Sequence, residues 1–176
     1  MLKAYPIKLI ASFMLIGALA FYFGLQSEML AQESKIDFMH NKNYGSQLGV
    51  FFFLFSNNLK VGLLITTLGF LTGGIASFII FFWNGYTLGI LIKSLFSTYN
   101  EPNLIIFNHL LPHAFTEILA FCLFGCIGFK GFYFIRHLFR ESELSFQLLP
   151  RITEFYLPII LLIVSALIET LVSSPA

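Results

Sequence analysis

Residues 59–96 read LKVGLLITTLGFLTGGIASFIIFFWNGYTLGILIKSLF, an almost unbroken apolar run of 38 residues. A helix rises 1.5 Å per residue, so about 20 apolar residues cross the roughly 30 Å of bilayer hydrocarbon. The run is too long for one crossing and tight for two. Its breakers are Gly73-Gly74 and Asn84-Gly85, both pairs that favour turns. One reading has a span at 59–82, a turn at Asn84-Gly85 and a short return span at 85–99. A second turns at Gly73-Gly74. A third makes the later piece a re-entrant loop, which is tolerated only where protein or water covers its backbone.

Composition points to the same solvent. Apolar residues make up 57% of the 176 and charged residues only 11%, against about 25% charged in soluble domains. Mean hydropathy is +0.84. Disorder requires the opposite balance. Ten basic residues against nine acidic leave +1, too little to attract a phosphate backbone, so no nucleic-acid partner is expected. Two cysteines, Cys122 and Cys126, make no disulfide scaffold and read as core filling. The chain is read as a single integral membrane domain over 1–176, an all-α, polytopic helix bundle in contact with lipid.

Three further spans fall at about 7–25, 111–129 and 155–172. The first competes with a signal peptide cleaved after Ala18-Leu19-Ala20, but its apolar run continues past Ala20, so it is expected to be retained as a helix. Segment 50–55 is too short to span and ends at Ser56-Asn57-Asn58, so it reads as interfacial. Lys3 and Lys8 place the amino terminus in the cytoplasm, as does the basic loop 130–151 with Lys130, Arg136, His137, Arg140 and Arg151. Both conditions hold with five spans, which puts segment 26–48 and the carboxyl terminus outside a bacterial cell membrane. Short or broken helices are expected around Asn84-Gly85 and Pro112.

Ionisable residues inside spans are costly and are functional candidates by default. His113 and Glu117 are four apart and share one helix face. They are read as a pair at a helix start, as a site for a substrate, partner or proton, or with His109 as ligands for a divalent metal such as zinc. Lys93, Lys60 and Glu169 fall at similar depth, and together with Glu117 they are expected to form an outer-leaflet polar pocket. Asn84 reads as a cap or turn residue, or as a helix break exposing backbone to a bound segment. Gly69-x-x-x-Gly73 and Gly85-x-x-x-Gly89 allow close helix approach, within one chain or in a homo-oligomer.

Several of these segments carry a resemblance. Phe55-Ser56-Asn57-Asn58, Gly69-Phe70-Leu71-Thr72-Gly73, Trp83-Asn84-Gly85-Tyr86-Thr87-Leu88-Gly89 and Leu111-Pro112-His113-Ala114-Phe115-Thr116-Glu117 resemble the stage II sporulation protein M family of bacterial and archaeal membrane proteins. The resemblance covers roughly residues 50–172, with Ala114 where the family pattern has glycine. It implies an all-helical, multi-span protein and raises Asn84, His113 and Glu117 among the candidates. It also implies an organiser beside envelope-remodelling enzymes, or a part in bacteriocin production, export or immunity.

Three functions follow. The first is a non-enzymatic membrane subunit, without cofactor, that binds, organises or helps export a hydrophobic peptide or an envelope-remodelling partner, with Asn57, Asn58, Asn84, Lys93 and His109 as contact residues. The second is an intramembrane enzyme that cuts or cyclises a peptide, with Glu117 as acid or base and His113 as metal ligand or proton relay. The third is a small transporter or immunity protein.

Overall fold

The structure, a computed structural model, describes residues 5–27, 46–99, 101–141 and 146–172. The expected outside segment 26–48 lies largely beyond the described residues. Seven α-helices follow in order: α1 (Ile7–Gln26), α2 (Gln47–Leu71), α3 (Ile75–Thr98), α4 (Pro102–Ile105), α5 (Leu111–Gly128), α6 (Lys130–Glu141) and α7 (Tyr156–Val172). A π-helical turn, Ile106–Leu110, joins α4 to α5. This bears out the expected short, irregular helix before Pro112. Among the described residues there is no strand, and five helical segments are long and apolar enough to cross a membrane.

The turn in the long apolar run falls at Gly73-Gly74, not at Asn84-Gly85. Gly73 and Gly74 have φ of 63° and 94°, left-handed values that cost other residues about 1–2 kcal/mol. Gly74 N–H donates to the Gly69 carbonyl and Gly73 N–H to that of Phe70, so two of the last free carbonyls of α2 are used in a Schellman cap. The Thr72 hydroxyl then accepts from Ala76 N–H at 2.9 Å and starts α3. Helix α3 runs unbroken through Asn84-Gly85, where Gly85 serves close packing instead of turning.

Moving the turn lengthens α2 at its other end. Segment 50–55 is no separate interfacial element: with Ser56-Asn57-Asn58 it lies inside α2. Lys60, expected at a span end, sits in the middle of a 25-residue helix and is exposed. A lysine at that depth costs on the order of 3 kcal/mol even on insertion scales.

Helices α1 and α3 run parallel in contact along their length. A Cβ on Gly24 would fall 2.2 Å from the Tyr86 carbonyl oxygen, and one on Gly89 would fall 2.3 Å from that of Phe21. Only glycine permits backbones this close. Lys93 Nζ donates to the carbonyl of Ser27, the C-cap residue of α1, at 2.8 Å. It places a cation where the helix dipole leaves negative charge.

Helices α2, α5 and α7 form the second half. Its ties are polar: Thr66 donates to the Phe124 carbonyl at 3.1 Å, and Ser165 to that of His113 at 3.0 Å. The two halves are joined tightly at one end of the bundle. There Phe13 of α1, held by Phe78 at 4.3 Å and Phe81 within its own half, crosses to α5, where its ring fills the space a Cβ on Gly125 would need. Ser77 of α3 donates to the Ile65 carbonyl of α2 at 2.8 Å. The Tyr5 hydroxyl donates to the Glu154 carbonyl, and buried Lys130 pairs with the Glu154 carboxylate. Lys130 is therefore no solvated member of a basic loop. Helix α6 packs against the α2–α3 turn, with Phe134 against Phe70 and Ile135 beside Gly73.

Candidate functional site

Helix α5 carries two different faces towards the opposite end of the bundle. One turns His113 and Glu117 towards α2 and α7. The Asn58 side chain donates to the Glu117 carboxylate, and the carboxylate of Glu169 is near enough for the two charges to interact. Asn58 is buried. The His113 ring places Nδ1 in the interior, while its carbonyl accepts from Thr116 at 2.8 Å and from Ser165. The i, i+4 spacing set His113 and Glu117 on one face, and this face points inward. Two carboxylates and an amide thus meet where three helices converge, with the imidazole one turn away on the same face of α5.

The other face, about 100° round the helix at Ala114 and Ile118, borders a cleft of about 390 Å³ between α5 and the α1–α3 pair. Its walls include Ala18, Phe81, Asn84, Ala114, Ile118 and Phe121. Small residues border the space, with Ala18 and Ala114 in its walls. Asn84 is polar, yet its amide donates to the Ile80 carbonyl of its own helix at 2.8 Å. The cleft consequently offers an apolar lining, the usual character of a ligand pocket, but with few polar anchors.

The residues singled out from sequence separate into four places. Asn58, His113 and Glu117 come together. Asn84 lies across α5 from them, on the cleft. Lys93 caps α1 and makes no pocket with Glu117. Asn57 is exposed on the outward side of α2. The side chain of His109 lies outside the described residues. Among those described, no three His, Cys, Asp or Glu side chains converge closely enough to hold a metal ion. Glu169 stands near Glu117, as the expected outer-leaflet pocket had it, whereas Ser165 was not recognised as a companion of His113. The period of α7 carried a signal, because both fall on the face that buries Leu162 and Ala166.

The sequence pattern of the family described as stage II sporulation protein M matches residues 9–174. An uncharacterized protein of Methanocaldococcus jannaschii is 36% identical over 118 residues, which are 66% of this chain. The match spans 64% of that relative's own length. No solved structure matches the chain. A match over nearly its whole length, through helices that carry both faces of α5, assigns the protein: it belongs to the stage II sporulation protein M family.

Proposed function

We propose that this protein is a non-enzymatic membrane subunit that holds a hydrophobic peptide, or the apolar segment of an envelope-remodelling partner, in the lateral cleft. The cleft is the observation that carries this reading. It is apolar, bounded by transmembrane helices and closed where the two halves join, so a chain dissolved in the bilayer would enter from the side without crossing water. Arg136, Arg140 and Arg151 gather towards the closed end, which the positive-inside rule assigns to the cytoplasm of a cell membrane. The cleft then belongs to the outer half of the bilayer. Family membership supports a role in envelope remodelling, and bacteriocin production, export or immunity is the other setting the resemblance implies.

A photoreactive phenylalanine analogue at Ala18 or Ala114 tests the reading in native membranes. The expected product is a polypeptide adduct that Ala114→Trp reduces at least tenfold when the probe is at Ala18. The same probe at Ile79, exposed on α3, should give lipid adducts. Lipid adducts alone from all three positions would sink the proposal.

The meeting of Asn58, His113, Glu117 and Glu169 favours a second reading, a peptide-processing enzyme with Glu117 as acid or base and His113 as proton relay. Full peptide processing by a Glu117→Gln variant would remove it.

A further inference from the structure

Lys60 and Asn58 are two residues apart on α2, about 200° round a helix of 100° per residue. Asn58 points into the bundle with Gly62, Ile65, Thr66 and Gly69. Lys60 therefore points directly away from it and is exposed, with Ser56 and Asn57 exposed beside it. By helical rise Lys60 lies about 20 Å from the Gln47 end of α2 and about 16 Å from the Leu71 end. That is near the middle of a roughly 30 Å hydrocarbon layer, where a lysine reaches headgroups only by thinning the bilayer or drawing water inward.

Among the described residues no counter-charge is seen for this cation. Among the described residues the one ion pair is Lys130–Glu154, and the two carboxylates of the spans, Glu117 and Glu169, lie on the bundle side of α2. The flanking exposed residues are Phe52, Phe53, Leu63 and Leu64, a surface that packs against a helix as readily as against lipid.

We propose that the outward face of α2 docks a transmembrane helix of another polypeptide that carries an aspartate or glutamate near the middle of the bilayer, with Lys60 as its ion-pair partner and Ser56 and Asn57 as hydrogen-bonding neighbours. The occupant is defined by charge complementarity: only a carboxylate removes the isolated cation, and a helix delivers it with its own backbone already satisfied. This face is on α2 and the cleft is walled by α1, α3 and α5, so the inference stands apart from the proposed cleft ligand.

The test uses the full chain in phosphatidylcholine vesicles, donor-labelled, with acceptor-labelled polyleucine transmembrane helices bearing one central glutamate or one central glutamine. Energy transfer should show at least tenfold tighter association with the glutamate helix. Lys60→Met should abolish the preference and Lys60→Arg should keep it, with helix content and thermal unfolding unchanged in both. Equal association of the two helices would overturn the proposal, as would a preference that survives Lys60→Met. Self-association of the unmodified chain that Lys60→Met removes would also overturn it, giving the face to a second copy.

Discussion

The two halves of the bundle are held together by different physics. Helices α1 and α3 meet backbone to backbone at Gly24 and Gly89, and side chains such as Phe13, Phe78 and Phe81 come between them only towards the joined end. Helices α2, α5 and α7 are tied by side chains instead: Thr66 and Ser165 on carbonyls, and Asn58 on Glu117. In a lipid solvent neither half gains from hydrophobic burial, because lipid tails are as apolar as leucine. The glycine half relies on close van der Waals packing and tolerates no added volume. The polar half relies on satisfied hydrogen bonds and tolerates no lost partner. The cleft lies where these two kinds of surface face each other without matching.

The largest effect is expected at the closed end, where the halves join. Lys130→Met leaves the Glu154 carboxylate buried without its cation and should cost about 3–5 kcal/mol, read as lost thermal stability in detergent. A variant that unfolds as the parent does would show that Phe13 against Gly125 and Ser77 on the Ile65 carbonyl suffice to join the halves. Next comes Gly89→Leu, which drives a side chain into the Phe21 carbonyl and should cost about 3 kcal/mol through overpacking. It should also free α1, seen as faster proteolysis near Ser27. Gly17→Ala meets only the movable ring of Phe81 and should be much milder; equal losses would refute a rigid backbone seam.

In the polar half Asn58→Leu keeps volume but strands the Glu117 carboxylate, for an expected loss of about 1–3 kcal/mol. Glu117→Gln in the same background should recover most of it, since the stranded charge is gone. Additivity of the two substitutions would deny their contact.

The smallest effect concerns Tyr5, whose phenol is pushed up to about 12, by burial first and then by the Glu154 carboxylate. The folded protein holds the neutral phenol more firmly than the unfolded chain does. This contribution is full below the ordinary value of 10.0 and is lost as pH climbs towards about 12. Tyr5→Phe should lower stability by about 1 kcal/mol at neutral pH and flatten the alkaline fall. An unchanged alkaline slope would show that the Tyr5–Glu154 link is not what titrates.

Five spans were legible because each is a long apolar run bounded by charges. The turn was not, because Gly-Gly and Asn-Gly are both good turn formers. What separates them is tertiary: Phe129 crowds Gly74, while the α1 backbone crowds Gly85. Ser56-Asn57-Asn58 read as a boundary because polar residues usually leave the bilayer. Here Asn58 is satisfied by Glu117, far along the chain, and no local pattern announces such a partner. His113 with Glu117 was legible from spacing alone. Glu169 was grouped with Glu117 by span depth alone, while Ser165 was not legible, since its bond to the His113 carbonyl depends on how α7 is rotated against α5.

The sideways opening of the cleft has a consequence for any measurement of binding. An occupant of the kind proposed for it would not arrive from water at some molar concentration; it would replace acyl chains already present in enormous excess. Binding is therefore an exchange, and its constant is a ratio of mole fractions in the membrane. Apolarity by itself confers no advantage over lipid in such a competition. A guest prevails only by shape, through a stiff or helical body that loses less freedom than a flexible hydrocarbon tail. Titrations at fixed protein but increasing detergent or lipid should accordingly dilute the guest away, and affinities should be reported against lipid content.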